Sequence, residues 1–260
     1  MTLSSLLTSA LAQLADSPCI LVASDFDGVL APLVLDPSAS RALPGTIEAL
    51  EALATLPGTH SAVVSGRDLD TLTRLTGLDG SEVTRIGSHG AQTSADAAPD
   101  RRPDGLPDEQ AALLAEVTHD LEAVAHEHPG SSIERKPAAA VLHTRRMDDA
   151  SAARAAEAAA LQASTRHTGV HVLHGKHVVE VSVVEADKGT ALLALRDAVG
   201  ASAVAYFGDD VTDEHAFERL GDRDVTVKVG PGETAAQYRV DSPEDVAAAL
   251  ALLVEQRSRR

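Results

Sequence analysis

Apolar positions along the chain switch between two spacings. Residues 20–23, Ile-Leu-Val-Ala, form an apolar run too short for a helix, and it ends in Asp25 and Asp27, one residue apart. A run of this type predicts a strand buried on both faces, inside a parallel sheet. Gly28 then lets the chain turn away sharply. Helical spacing in residues 1–15 puts Leu3, Leu6, Leu7, Leu11 and Leu14 on one side of a helix. Pro44-Gly45-Thr46 opens a second helix, with Ile47, Leu50, Leu53 and Ala54 as its apolar face, and Pro57-Gly58 ends it. A strand at 60–64, a helix at 68–75 and a strand at 83–86 follow. Alternating strands and helices predict a parallel sheet with right-handed crossovers.

Residues 94–108 break this pattern. They are rich in Ala, Asp, Pro and Gly, have no periodicity, and read as a linker. Next come a helix at 109–126, strands at 131–136 and 139–145 parted by Pro137, an Ala-rich helix at 150–163, and a hairpin at 169–184 turning near Gly175-Lys176. These elements predict a small α+β domain inserted into the first. The original alternation resumes at Asp187-Lys188-Gly189, with a helix at 190–199, a strand at 203–207, a helix at 213–220, a strand at 225–229 and a last helix at 244–255. The expected fold is α/β. A Rossmann-like, doubly wound parallel-sheet core spans 1–103 and 184–260, and a smaller α+β domain spans 104–183.

Composition narrows the function. The net charge of −17 leaves no basic field for nucleic acid or an anionic membrane surface. A phosphate site here must assemble its positive charge locally, from a metal, Lys or Arg. The single cysteine, Cys19, permits no disulfide within the chain, which fits a reducing, cytoplasmic setting. No apolar run approaches membrane-spanning length, and the first residues lack the pattern of a signal peptide.

Two readings fit Asp25 and Asp27 alone: acids capping a turn, or a repelling pair that needs a cation or a shared proton. Residues 203–214 repeat the arrangement, with a buried strand ending in Gly208, Asp209 and Asp210 and then Asp213. If the two strands are neighbours, Asp25, Asp27, Asp209, Asp210 and Asp213 converge, and five acids in an apolar crevice call for a hard cation such as Mg²⁺. For Asp213, capping of the next helix competes with that role. Lys188 at a helix start fits either a surface lysine or an anion site. Ser65, followed by Gly66, offers a hydroxyl and backbone N–H groups at a third strand end. Residues 230–235 match a dinucleotide fingerprint in spacing, but after the last core strand and with Pro231 removing a donor. His119, His126 and His128, and His171, His174 and His177, are expected to be exposed histidines and not metal ligands.

The ordered set Asp25-x-Asp27-Gly28, Ser65-Gly66-Arg67, Lys188-Gly189 and Gly208-Asp209-Asp210-x-x-Asp213 resembles the four motifs of the haloacid-dehalogenase-like phosphotransferases. Further, Gly87-Ser88-His89-Gly90, Glu134-Arg135-Lys136-Pro137, His143-Thr144-Arg145 and Gly175-Lys176-x-x-x-Glu180 are similar to signatures of the trehalose-6-phosphate phosphatase family. The resemblance implies a Mg²⁺-dependent sugar-phosphate phosphatase with the inserted domain as a cap. It implies Asp25 as nucleophile, Asp27 as acid and base, and Ser65 and Lys188 on the phosphoryl oxygens. Asp25, Asp27 and Asp209 would hold the metal, supported by Asp210 and Asp213. Arg67, His89, Gly90, Glu134, Lys136, His143, Arg145, Lys176 and Glu180 are candidates for the sugar and for cap closure. A related capped phosphatase of another sugar phosphate, or an inactive sugar-phosphate sensor, is the alternative. Val29 departs from the superfamily, which usually has Thr there.

Overall fold

The computed structural model describes residues 3–34, 36–95, 106–175, 177–184 and 187–260. The chain divides into two compact units, Met1–Ala97 with Ala186–Arg260, and Ala98–Glu185. The first unit is built on a seven-stranded sheet. Its strands are β1 (Ile20–Ser24), β2 (Thr59–Val64), β3 (Thr84–Gly87), β4 (Gln92–Thr93), β9 (Ala203–Gly208), β10 (Val225–Val229) and β11 (Tyr238–Val240), in the order β11-β10-β9-β1-β2-β3-β4. All neighbours run parallel except β3 and β4.

Every residue of β1, β9 and β10 is buried, as the apolar runs of β1 and β9 predict, while β10 buries Thr226 and Lys228 as well. Alternate residues of β1 serve opposite faces. Ile20 and Val22 join the core formed with α1 (Ser5–Ala15), α2 (Thr46–Ala54), α3 (Leu69–Thr76) and α8 (Pro243–Arg257). Leu21 and Ala23 join the core under α6 (Lys188–Val199) and α7 (Val211–Arg219). Helices on both faces make the sheet doubly wound. The chain leaves β1 for β2 and β3 on one side and returns to β9 and β10 on the other. The carboxyl end of β1 is therefore the switch point of the sheet, where such folds place their ligands.

In the second unit α4 (Asp108–Glu127) and α5 (Ala150–Ser164) pack on an antiparallel sheet of β5 (Ser132–Lys136), β6 (Ala139–His143), β7 (His171–Gly175) and β8 (Val178–Ser182), in the order β5-β6-β8-β7. Ile133, Ala140, Leu142, Val179 and Val181 meet those helices in one core.

Several expectations change in detail. Leu6 is 74% exposed, so the buried face of α1 is Leu7, Leu11 and Leu14 with Ala10 and Ala15. Val29 is fully buried among apolar side chains, an environment that suits Val where a hydroxyl would need a partner. No helix follows residues 230–235. The segment leads into β11, and Arg239 donates to the carbonyls of Gly230 and Gly232. Residues 96–105 of the expected linker lie outside the described residues, and Asp108 already begins α4. Among the described residues no helix is long and apolar enough to cross a membrane.

Candidate active site

Asp25 follows the last residue of β1 and is 4% exposed. Its N–H donates to the Phe207 carbonyl at 2.9 Å, which ties it to the end of β9. Its Oδ1 accepts from the Phe26 N–H at 2.6 Å, and its Oδ2 accepts from Lys188 Nζ at 2.8 Å. Lys188 opens α6, is 1% exposed, and also donates to Asp213 Oδ1 at 2.8 Å. Asp213 Oδ1 takes the Tyr206 hydroxyl at 2.6 Å as well, while Oδ2 accepts the N–H groups of Asp209 and Asp210 at 2.9 and 3.0 Å. All the lone-pair positions of the Asp213 carboxylate are therefore in use. Asp210 is the N-cap of α7, its Oδ1 accepting from the Thr212 and Asp213 N–H groups, so capping and a place in the acid cluster coexist.

Asp209 has a different environment. A Cβ added to Gly28 would lie 2.0 Å from Asp209 Oδ2, so the carboxylate presses directly on the turn after Asp25 and Asp27. Gly28 also has φ +78°, and both facts exclude a side chain there. Among the described residues no donor reaches the Asp209 carboxylate. Burial, with repulsion from Asp213 and Asp210, pushes it up to about 7, only partly opposed by Lys188 and Lys228.

The other charges follow the same balance. Burial pushes the Asp25 carboxyl well above the usual range, and Lys188 is the group opposing this. Lys188 is held protonated, because Asp25, Asp213 and Asp210 outweigh its burial. Burial also works against the Asp210 charge, but Lys188 and the capping bonds bring this carboxyl down to about 2. One ammonium, Lys188, thus serves Asp25, Asp210 and Asp213, while Asp209 pairs with neither Lys188 nor Lys228, and further positive charge is needed. Oxygen atoms of Asp25, Asp210 and Asp213 lie within 4.8 Å of one another, an acidic group that could hold a metal. An oxygen-only donor set with an uncompensated carboxylate at Asp209 suits a hard divalent cation.

Asp27 is engaged elsewhere. Arg67 forks onto both of its oxygens, Nε to Oδ2 at 2.6 Å and Nη2 to Oδ1 at 2.7 Å, and Ser40 donates to Oδ1 at 3.0 Å. The Arg67 guanidinium also lies 5.8 Å from the Phe26 ring centre. Arg67, expected to reach a sugar, is thus placed on the expected acid. Ser65 is buried at the carboxyl end of β2. The turn after β3 is bolted to it, His89 N–H donating to the Ser65 carbonyl at 3.0 Å and Ser88 N–H to the Arg67 carbonyl at 2.7 Å. The His89 ring covers Gly66, and Gly90, at φ +114°, packs against the Asp187 carbonyl and Ala191 at the start of α6. The first unit therefore gathers Asp25, Asp27, Ser65, Arg67, Lys188, Asp209, Asp210 and Asp213 around the carboxyl edge of its sheet.

The remaining candidates belong to the second unit. Strand register sets Glu134, Val141, Glu180 and Leu173 in one row across the sheet, with Lys136 two rows away on one side and His143 two rows away on the other. Successive side chains alternate between faces, so Glu134, Lys136, His143 and Glu180 share the face opposite the helices. Lys136 pairs with Glu180 at 2.8 Å and His143 with Glu134 at 2.7 Å. Arg145 sits in an exposed turn after β6, and Lys176 lies outside the described residues. Among the described residues the histidines form no group with metal-ligating spacing.

A family model described as trehalose-phosphatase matches residues 23–244, from the centre of β1 into α8. The chain belongs to the trehalose-phosphatase family. It is 35% identical over 241 residues to the trehalose-phosphate phosphatase of Mycobacterium tuberculosis (strain H37Rv), a match covering 86% of this chain and 58% of that protein. The chain thus spans less than two thirds of the length of that relative. A solved trehalose-6-phosphate phosphatase related protein superimposes with a TM-score of 0.72 at 26% identity, covering 92% of this chain and 99% of its own. The C-terminal domain of the Candida albicans trehalose-6-phosphate phosphatase shares the fold, with a TM-score of 0.73 at 22% identity over 98% of both chains. A solved haloacid dehalogenase-like hydrolase from Bacteroides thetaiotaomicron shares the fold too, with a TM-score of 0.63 at 16% identity over 90% of this chain and 98% of its own. Within this family fold three site neighbours escape sequence reasoning: Tyr206, Ser40 and Lys228. For two of them a signal was present, since Tyr206 is the one hydroxyl-bearing residue of β9 and Lys228 the one charged residue of β10.

Proposed function

We propose that this chain is a Mg²⁺-dependent phosphatase that hydrolyses trehalose 6-phosphate to trehalose and phosphate through an aspartyl-phosphate on Asp25. The observation that carries the reading is the buried Lys188–Asp25 contact of 2.8 Å at the switch point of the sheet, beside a cluster of acids short of positive charge. Asp25, Asp209 and the carbonyl of Asp27, with Asp210 nearby, would hold the divalent ion, which would supply charge neutralisation for the phosphoryl group. Asp213 supports the site by orienting Lys188.

In the first step an Asp25 carboxylate oxygen bonds to phosphorus and the bond from phosphorus to the sugar oxygen breaks. Asp27 gives its proton to that oxygen. In the second step a water oxygen bonds to phosphorus, Asp27 takes a proton from the water, and the bond to Asp25 breaks, which restores both acids. Lys188 spends two of its three N–H groups on Asp25 and Asp213, and the third is available to a phosphoryl oxygen beside the Ser65 hydroxyl. The Arg67 fork orients Asp27, and one of its hydrogen bonds has to open before Asp27 holds a proton. Residues 1–103 and 184–260 form the catalytic core in this reading and 104–183 the cap. Glu134, Lys136, His143 and Glu180, with Arg145 and Lys176, recognise the sugar. The lone half-buried Cys19 accords with a cytoplasmic enzyme.

The test is phosphate release from a panel of sugar phosphates with Mg²⁺ present. Trehalose 6-phosphate is expected to give the highest kcat/KM, and chelation to abolish turnover. A higher kcat/KM for glucose 6-phosphate or sucrose 6-phosphate would overturn the substrate, and full activity after chelation the metal.

A further inference from the structure

Lys228 is a buried cation that the reaction outlined above does not use. It sits in β10, where every residue is buried, and in register it faces Gly208, the last residue of β9. Burying an ammonium is costly unless it is paired, and an apolar residue would fill a strand position of this kind. Its Nζ donates to the Asp209 carbonyl oxygen at 2.6 Å and lies 3.0 Å from Glu214 Oε1. Glu214 is itself anchored, its Oε2 accepting from the Thr234 hydroxyl at 3.0 Å and the Ala235 N–H at 2.8 Å. Asp209 is therefore held by both backbone polar groups, its N–H by Asp213 and its C=O by Lys228. With both backbone groups held, the Cα of Asp209 is fixed in place, and its carboxylate lies on Gly28.

We propose that Lys228 is a positioning residue for the metal centre: clamped between the Asp209 carbonyl and Glu214, it aims the Asp209 carboxylate at the turn that carries Asp25 and Asp27. The inference rests on the reading of that acid cluster as a Mg²⁺ site. Groups that orient a metal ligand from behind typically change metal affinity about tenfold to a hundredfold when removed. Glu214 acts in the same direction by fixing the ammonium.

The experiment is calorimetric titration of the full chain with Mg²⁺, without substrate, on the wild type, Asp209→Asn, Lys228→Met and Glu214→Gln. Lys228→Met is expected to raise the Mg²⁺ Kd at least about tenfold, and Glu214→Gln to raise it by less. A purely structural lysine would lower the melting temperature of the chelated protein and leave the Kd of the folded protein where it was. A Kd within about twofold of wild type in Lys228→Met overturns the proposal. If Lys228→Met does not fold, Glu214→Gln decides, and an unchanged Kd there overturns it equally. Wild type and Asp209→Asn titrating alike would overturn the metal site itself, an outcome separate from the failure of Lys228 alone.

Discussion

Lys188 explains why this site holds more acids than a metal needs. A lysine 1% exposed is tolerated because Asp25 and Asp213 both accept from it, and Asp213 is in turn held by Tyr206 and two backbone N–H groups. Asp209 is the acid left over. In the absence of a cation its ionised form is repelled by Asp213 and Asp210 and poorly solvated, so its charge destabilises the folded state. Asp209→Asn should raise Tm in chelator, and with excess Mg²⁺ the order should reverse, because only the wild type gains binding energy from the ion. Thermal denaturation of both proteins in the two buffers checks this, and a variant less stable than wild type in chelator would contradict it. The acids themselves were legible, because two apolar runs ended in them with glycine at the bend. The pairing of Arg67 with Asp27 was not, since Arg67 stands forty positions away and nothing in its local spacing names a partner.

At the scale of elements, β1 lies between β9 and β2, and its end is the point from which the chain leaves in both directions. β1 and β9, buried along their whole length, were readable as apolar runs, whereas β10 buries Thr226 and Lys228. The edge strands β4 and β11 were not, because stretches as short as Gln92–Thr93 and Tyr238–Val240 carry no period. The chain just before β1 and β2 is joined by a residue with no pattern at all. Arg257, 5% exposed on α8, donates to the carbonyls of Ala15, Ser17, Pro57 and Gly58 and to the Thr59 hydroxyl, linking the ends of α1, α2 and α8. Arg257→Met removes the buried donor from the Ala15 carbonyl and the Thr59 hydroxyl, at a cost of about 3 kcal/mol. Thr59 begins β2, a strand of six residues, so the lesion is about 20 Å from the end that leads to Ser65. Chemical denaturation should show the loss while kcat in buffer stays close to wild type. A fall in kcat without a fall in stability would contradict a structural role.

At the scale of the whole molecule, the chain divides into two units, and the sequence changes texture from residue 94, where the alternation of strands and helices stops. The chemistry divides in the same way. The first unit gathers groups suited to a phosphoryl group and a cation, none of which distinguishes one sugar from another. The second carries a polar sheet face on which Glu180 and Lys136 pair at 2.8 Å, both largely shielded from water. A carboxylate that accepts from sugar hydroxyls is a strong basis for selection, because a missing hydroxyl leaves it unsatisfied. Glu180→Ala should lower kcat/KM for trehalose 6-phosphate about tenfold to a hundredfold. Hydrolysis of a small aryl phosphate should be almost unchanged. Equal losses on both substrates would place Glu180 in folding or in the chemistry, not in selection.

The covalent step on Asp25 is the centre of this account, and trapping it is the most direct test. Full-length protein is mixed with Mg²⁺ and trehalose 6-phosphate labelled with ³²P, quenched in acid during turnover, digested and mapped. The account predicts label on the peptide containing Asp25, and none in Asp25→Asn, which also releases no phosphate. Phosphate release at the wild-type rate by Asp25→Asn, or label on a different peptide, would contradict it.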